Sequence, residues 1–154
     1  MSDPDRDLAA TLRAYLEAAG RRPFGWGTFD CFVFVADWLI AAGHPDPATA
    51  FRGTYGTRQG ARGITQDHGG TVRCADALLT AIGCTPTARP NVGDVGLVRI
   101  AVPLAVDDVG RVRLGKQTVG AICAPGRRWA IKTTAATLTL APAAFVRAWS
   151  LPRL

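Results

Sequence analysis

Asp30 and Cys31 are the residues whose types and spacing most directly suggest chemistry. They follow a turn rich in glycine and aromatic residues, FGWGTF, and they precede the almost wholly apolar run CFVFVADWLIAAG. We therefore expect Asp30 to be the N-cap of a helix and Cys31 to lie in its first turn. Unpaired backbone N–H groups and the positive end of the helix dipole stabilise a thiolate at that place. Cys31 is thus a candidate nucleophile, with a small apolar core residue as the alternative.

A cysteine nucleophile needs a base or a cation near its sulfur, and the sequence offers few. The backbone N–H of Cys31 could donate to an oxyanion, whereas the negative charge of Asp30 opposes thiolate formation. The chain has two histidines. His44 follows the helix of Cys31 and is excluded, because it lies about 20 Å away at ~1.5 Å per residue. His68, in the predicted loop TQDHGG, is a candidate base, and an exposed loop histidine is the alternative.

The elements around this segment predict an α+β fold. A first helix capped by Asp5 has an apolar stripe from Leu8 to Ala19 and ends at Gly20, and TVRCADALLTAIG predicts a further helix. HPDPATAFRGTYGTRQGARG is rich in turn residues. From Val92 onward, β-branched runs separated by Gly, Pro and Asp predict antiparallel strands, and APAAFVRAWSLPRL predicts a short closing helix. We expect N-terminal helices, with the helix of Cys31 central and buried, packed on an antiparallel sheet of four to six strands.

Composition indicates one globular domain over residues 1–154. Of the 154 residues, 48% are apolar and 19% are charged, which argues against disorder. The longest apolar stretch, residues 31–42, is too short to span a membrane, and the acidic N-terminus lacks the pattern of a secretory signal. The four cysteines form no CxxC pair, so we expect no zinc site, no disulfide framework and no cofactor.

The net charge of +6 is unevenly distributed. Residues 1–108 contain ten basic and twelve acidic groups, whereas residues 109–154 contain eight basic groups and no acid. Such a surface could bind nucleic acid, an anionic polymer or an acidic protein, with a solvated basic face as the alternative. No helix-turn-helix spacing, aromatic platform or Cys/His finger accompanies it, which disfavours nucleic acid. The candidate partner-binding residues are Arg111, Arg113, Lys116, Arg127, Arg128 and Lys132, with Trp129 as an exposed aromatic anchor.

The segment WGTFDCFVFVADWLIAAG, residues 26–43, resembles the signature of NlpC-type papain-like cysteine peptidases. In that family a Trp-Gly turn precedes Asp-Cys at the start of the central helix. PNVGDVGLV and TVGAICAPGRRWAIKTT are similar to the strands that follow, so the resemblance covers roughly residues 8–150. The chain is most similar to a branch encoded in phage and prophage tail-gene clusters, in which an FRGTYGT-like loop and an AAFVRAW-like helix recur. The resemblance implies a papain-like fold, with Trp26 as a wall of a substrate groove or a packing residue of its loop.

The chain departs from the NlpC pattern at the base. In active NlpC-type enzymes a histidine begins the strand after the Gly-Asp strand, and the matching position here is Thr118, preceded by Lys116 and Gln117. None of these side chains exchanges protons near neutral pH as imidazole does. The resemblance therefore implies a degenerate, inactive peptidase fold that serves as a structural component of a phage tail, at the tail tip or baseplate.

This hypothesis places the protein in the virion, with other tail proteins as partners. Two alternatives stay open. One is an active cell-wall cysteine peptidase or amidase that binds peptidoglycan peptide and uses Cys31 with a base such as His68. The other is a basic nucleic-acid-binding module.

Overall fold

The computed structural model describes residues 3–134, 139–141 and 144–152. In these residues four helices are followed by six strands, which form one antiparallel sheet. The helices are α1 (Pro4–Arg21), α2 (Cys31–Ala41), α3 (Arg58–Asp67) and α4 (Thr71–Ala81). The strands are β1 (Thr85–Thr87), β2 (Val95–Val106), β3 (Val112–Ala124), β4 (Arg128–Ile131), β5 (Thr139–Ala141) and β6 (Phe145–Ser150), and their order across the sheet is β1-β6-β2-β3-β4-β5. The predicted α+β class with an antiparallel sheet is confirmed.

Helix α2 is the central buried element, as the sequence predicts. It is apolar nearly all round, and Phe34, Trp38 and Leu39 are completely buried in the core that α1 and the sheet share with it. The indole Nε1 of Trp38 donates to the carbonyl oxygen of Gly93 at 2.8 Å, which satisfies the polar atom of this buried ring. Each such large apolar side chain stabilises the fold by about 1.5–3 kcal/mol on burial. The body of α2 is therefore held in place by its core contacts.

Gly120 of β3 sets the distance between α2 and the sheet. A Cβ at Gly120 would lie 3.1 Å from the carbonyl oxygen of Cys31 and 3.1 Å from a methyl carbon of Val35. A larger side chain at this position would push the start of α2 away from β3. The glycine thus lets Cys31 lie directly against the backbone of β3.

Beyond the body of the sheet, β2 and β3 continue as a two-stranded hairpin. Their pairing runs out to Val106 and Val112, and residues 101–116 form what we call the hairpin arm. Among the arm residues whose side chains the structure describes, four large apolar ones are exposed: Val106 (67%), Val109 (74%), Val112 (52%) and Leu114 (61%). An isolated two-stranded ribbon is at best marginally stable in water. The arm therefore presents apolar surface that the described part of the domain does not cover.

Several segments differ from the sequence prediction. Strand β1 lies before Val92, from which strands are predicted, and it pairs with β6. Helix α3 was not predicted, because Gly60 and Gly63 weaken the helix propensity of a segment rich in turn residues. The helix begins at its N-cap Thr57, whose side chain accepts from the backbone N–H of Gly60 at 3.0 Å. The predicted C-terminal helix is wrong, since Phe145–Ser150 is strand β6 between β1 and β2. The apolar residues of that segment fit the spacing of a helix as well as that of a strand. Pairing with two neighbouring strands stabilises the strand.

Candidate functional site

Asp30 is the N-cap of α2, as predicted, and it is almost fully buried, with 1% of its surface exposed. One carboxylate oxygen accepts from the backbone N–H groups of Phe32 (3.0 Å) and Val33 (2.9 Å). The other accepts from the backbone N–H of Gly27 (2.9 Å) and from the hydroxyl of Tyr55. A carboxylate has about four acceptor sites, and these four donors occupy them. Asp30 therefore organises the turn and has no acceptor site left for a base or a substrate.

Tyr55 connects the loop before α3 to the turn that carries Asp30. The backbone N–H of Gly53 donates to the carbonyl oxygen of Gly27 at 3.0 Å, and a Cβ at Gly27 would overlap the carbonyl oxygen of Tyr55. Gly27 also has a positive φ of 77°, which favours glycine. Burial, together with the hydrogen bond to Asp30, raises the pKa of Tyr55, so its hydroxyl stays a donor. Sequence reasoning missed Tyr55, although the Gly-Thr-Tyr-Gly-Thr run offered a signal.

Cys31 is the first residue of α2 and is half-buried. Burial raises the pKa of its thiol to about 11, and the neighbouring charge of Asp30 acts in the same direction. Backbone N–H groups of Gly120, Cys31 and Phe32 lower the pKa, but they do not outweigh burial. With a pKa of about 11, roughly one thiol in 10⁴ is a thiolate at pH 7. The helix N-terminus alone does not activate this cysteine.

Thr118 occupies the place at which the resemblance puts a base. It lies two residues before Gly120 on β3, so both positions face α2. Thr118 lines the same cavity as Cys31. Its neighbour Gln117 accepts from a guanidinium nitrogen of Arg58 at 2.8 Å. A hydroxyl and an amide therefore line the same cavity as the thiol, and neither takes up a proton at neutral pH.

The two histidines of the chain lie elsewhere. His44 follows the C-terminal end of α2, opposite to Cys31, and 8% of its surface is exposed. His68 is the C-cap of α3; its Nδ1 lies 3.0 Å from the carbonyl oxygen of Ile64, and its ring packs edge-on against Phe51. Neither histidine is among the residues that line the cavity beside Cys31. The structure thus does not bring His68 to the thiol.

A cavity of about 460 Å³ opens beside Cys31, and we call it the Cys31 cavity. Its walls come from α2, α3, α4 and the strands β2 and β3. Most lining side chains are apolar or small, among them Phe32, Val35, Ala61, Ile64, Ala75, Leu78, Leu97 and Val119. Three cations also line it: Arg62 and Lys116 are exposed, and Arg58 is half-buried. The cavity therefore combines an apolar interior with positive charge where it meets solvent.

Trp26 combines the two roles considered for it. Its ring packs edge-on against Phe24, with 4.9 Å between the ring centroids. The half-buried side chain also lines the Cys31 cavity. Trp26 therefore holds the glycine-rich loop together and forms part of the cavity wall.

The expectation that Trp129 is an exposed anchor is wrong. Only 3% of its surface is exposed, and its ring packs beside that of Phe145, with 5.8 Å between the centroids. A Cβ at Gly96 would lie 2.8 Å from the Trp129 ring. The ring thus fills the space that this glycine leaves on the face of the sheet.

Lys132 is also buried, so its predicted place on a docking surface is wrong. None of its surface is exposed, and its Nζ donates to the carbonyl oxygens of Ala19, at 3.0 Å, and of Arg22. These carbonyls belong to the last turn of α1 and the residue that follows it. Lysine side chains commonly satisfy the free carbonyls at a helix C-terminus. Lys132 therefore joins β4 to the end of α1.

The other basic candidates are exposed but do not form one surface. Arg111 and Arg113 lie on the hairpin arm, where the Arg111 guanidinium pairs with Asp107 at 2.7 Å. Arg127 and Arg128 lie at the turn between β3 and β4. Strand β3 has 13 residues, so these two pairs are separated by about 40 Å at ~3.3 Å per residue. These four arginines therefore form two separate groups, while Lys116 lines the Cys31 cavity.

The described part of the chain has neither a cluster of metal-binding side chains nor a helix that could span a membrane. Over residues 3–134, 139–141 and 144–152, no group of three or more His, Cys, Asp or Glu side chains could hold a metal ion. Within the same residues, no helix has both the length and the apolar character needed to cross a bilayer. What the geometry offers is a cavity beside a protonated thiol.

A comparison with known protein families gives a match over most of the chain. Residues 4–151, almost the whole chain, match the family described as "Domain of unknown function (DUF6950)". Neither the curated proteins nor the solved structures contain a match to the chain. Because the match covers far more than half of the sequence, the chain belongs to the DUF6950 family.

Proposed function

We propose that this protein is a non-catalytic domain of the papain-like NlpC type that serves as a structural component of a phage tail. The placement of Cys31 in the first turn of a buried helix, against an antiparallel sheet, agrees with that fold type. The resemblance of residues 26–43 and of the FRGTYGT loop supports the tail branch. In this proposal the peptidase-like fold has a structural role, and the site beside Cys31 does not cleave peptide bonds.

One observation carries the non-catalytic part of the proposal: among the described residues that line the Cys31 cavity, none is a histidine that could serve as the base. Thr118 holds the position at which the resemblance expects the base, and both histidines lie outside the Cys31 cavity. The carboxylate oxygens of Asp30 are occupied by donors of its own turn and by Tyr55. The thiol, with a pKa of about 11, stays protonated at neutral pH. Loss of general-base catalysis alone costs about 10²–10⁴-fold in rate.

Muropeptide release from purified peptidoglycan tests this part. We expect no release above background from the wild type, and none from Cys31→Ala. Cleavage by the wild type that Cys31→Ala abolishes would contradict the proposal, and would support the alternative of an active cell-wall peptidase or amidase. His68→Ala would then show whether that histidine is the base.

Replacing Thr118 by histidine tests the ancestry of the site. If the site has peptidase geometry, an imidazole at position 118 faces the thiol, and its positive charge should lower the pKa of Cys31 by a unit or more. The measurement is the pH dependence of Cys31 alkylation in Thr118→His, with Thr118→Asn as the matched control. An unchanged profile in a folded Thr118→His variant would count against the papain-like assignment.

The partner is proposed to be an acidic surface of another tail protein. Two exposed basic groups are available for docking, Arg111 with Arg113 on the hairpin arm and Arg127 with Arg128 at the β3–β4 turn. Only the arm combines its cations with exposed apolar side chains, which an interface core needs. Arginine can form paired hydrogen bonds with carboxylates, so charge reversal should weaken docking more than truncation to alanine.

Incorporation into assembled particles tests the docking. We expect Arg111→Glu with Arg113→Glu, and also Arg127→Glu with Arg128→Glu, to leave the domain folded but to reduce its incorporation. Arg13→Glu, an exposed position on α1, is the control. Normal incorporation of both double variants would refute docking through these cations. Loss of incorporation in the control as well would show a general charge effect instead.

A further inference from the structure

We propose that the Cys31 cavity binds a single-chain amphiphile: a ligand with an apolar chain and one anionic head group. The inference extends the proposed function, since it gives a ligand class to a site that we propose to be non-catalytic. It rests on three features of the cavity: an apolar lining that is only half-buried on the side of α3 and α4, cations without acidic partners, and a volume suited to a small ligand.

Helix α3 shows that the apolar lining is incomplete without a ligand. None of its residues is buried, although Ala61 and Ile64, one helical turn apart, both line the cavity. The facing residues Ala75 and Leu78 of α4 are also only half-buried. An amphipathic helix normally buries its apolar stripe against the core. Here the stripe faces open space, which an apolar chain would fill.

Apart from Asp30, the charged residues that line the cavity are all cations. Arg62 and Lys116 form no ion pair within the described residues, and Arg58 donates to the neutral amide of Gln117. The lining contains one carboxylate, Asp30, whose oxygens are already occupied by four donors. An anionic head group placed beside these cations would gain charge-assisted hydrogen bonds.

The size of the cavity fits one small chain. Ligand sites are typically clefts of about 300–1,000 Å³ with a mainly apolar lining and a few polar groups that fix orientation, and this cavity measures about 460 Å³. Each methylene group that enters should contribute about 0.8 kcal/mol. The head group would lie near Lys116 and Arg62, and the chain would run between α3, α4 and the sheet toward Leu97.

Isothermal titration calorimetry with dodecanoate, below its micellar concentration, tests the proposal. We expect one site per chain and a loss of about three- to fourfold in affinity for each methylene removed, compared with decanoate and octanoate. Dodecyl phosphate should bind as well as dodecanoate, whereas neutral dodecyl maltoside should bind at least tenfold more weakly. Equal binding of the neutral and charged probes, or no binding of dodecanoate, would overturn the proposal.

Variants locate the site. Arg62→Ala combined with Lys116→Ala should weaken dodecanoate binding about tenfold, and Ala75→Phe should abolish it by filling the cavity. Arg13→Ala, an exposed cation on α1 that does not line the cavity, is the matched control and should bind like the wild type. Unchanged binding by a folded Ala75→Phe variant would overturn the proposal.

A thiol-protection assay separates this inference from the proposed function. Bound dodecanoate should slow alkylation of Cys31 at pH 10, because the thiol shares the cavity. Binding without protection would place the ligand elsewhere and refute the site. Peptidoglycan cleavage would instead refute the proposal that the site is non-catalytic, and it would not contradict the binding of an anionic amphiphile in the cavity.

Discussion

Replacement of Asp30 by alanine should destabilise the domain far more than the loss of an ordinary helix cap. Asp30 is 1% exposed and accepts from four donors: the backbone N–H groups of Phe32, Val33 and Gly27, and the hydroxyl of Tyr55. Loss of the cap costs about 1 kcal/mol. The Gly27 N–H and the Tyr55 hydroxyl then lack an acceptor, at about 1–3 kcal/mol each. We therefore expect the free energy of unfolding to fall by at least ~3 kcal/mol.

The matched control is Asp3→Ala. Asp3 is the N-cap of α1, but it is exposed and its side chain accepts one hydrogen bond, from the backbone N–H of Asp5 at 3.1 Å. Its loss should cost about 0.5–1 kcal/mol. Tyr55→Phe removes one donor from Asp30 and should cost an intermediate amount of about 1 kcal/mol.

Equilibrium unfolding in urea, followed by circular dichroism, measures these differences. A total of 5–15 kcal/mol is usual for a domain, so a loss of ~3 kcal/mol is easily resolved. The donors share one carboxylate, so their contributions need not add, and the ranking of the variants is the firmer test. If Asp30→Ala costs no more than Asp3→Ala, the four-donor turn is not what holds the Cys31 segment in place.

Two further stability predictions follow from the same geometry. Gly27→Ala should lower the free energy of unfolding by more than ~2 kcal/mol, because the new Cβ overlaps the Tyr55 carbonyl oxygen. The control Gly110→Ala has a similar φ of 82° but open space around the new Cβ, so it should cost only ~1 kcal/mol. Similar losses in the two variants would refute the role of the contact with Tyr55. Lys132→Met should lower the free energy of unfolding by about 1–3 kcal/mol, because it removes the donor to the end of α1. The control Arg128→Met, at an exposed position, should stay within ~0.5 kcal/mol of the wild type in urea unfolding. An unchanged stability of Lys132→Met would show that this donor is dispensable.

The start of α2 could be predicted from the sequence because its signals are local. Three helix signals lie within 14 residues of one another: an N-cap at Asp30, an apolar run after it and a glycine at its end. Each of them predicts a helix boundary or a buried helix. The same holds for α1, although the cap is Asp3 and not Asp5. Helix α3 was missed because its glycines weaken the local signal, and the helix is fixed by a threonine cap and by its place beside α4.

Features that depend on long-range pairing could not be predicted. The apolar residues of β6 suit a helix or a strand, and the choice depends on neighbours more than 45 residues away in sequence. The burial of Trp129 and of Lys132 depends on which strand and helix lie opposite, so a count of charges along the chain placed both wrongly on the surface. Tyr55 reaches Asp30 across 25 residues. Its role becomes visible only in three dimensions.

The pH dependence of Cys31 alkylation tests most directly the claim that this site does not catalyse. Iodoacetamide reacts with the thiolate, so the rate follows thiolate formation, and mass spectrometry of the Cys31 peptide separates it from the other cysteines. Because burial raises the pKa of Cys31 to about 11, the logarithm of the rate should rise with unit slope from pH 6 to pH 10. The urea-unfolded chain is the control and should level off near the ordinary value of 9.0. A rate in the folded protein that is already constant at pH 7 would reveal an activated thiolate and contradict the account.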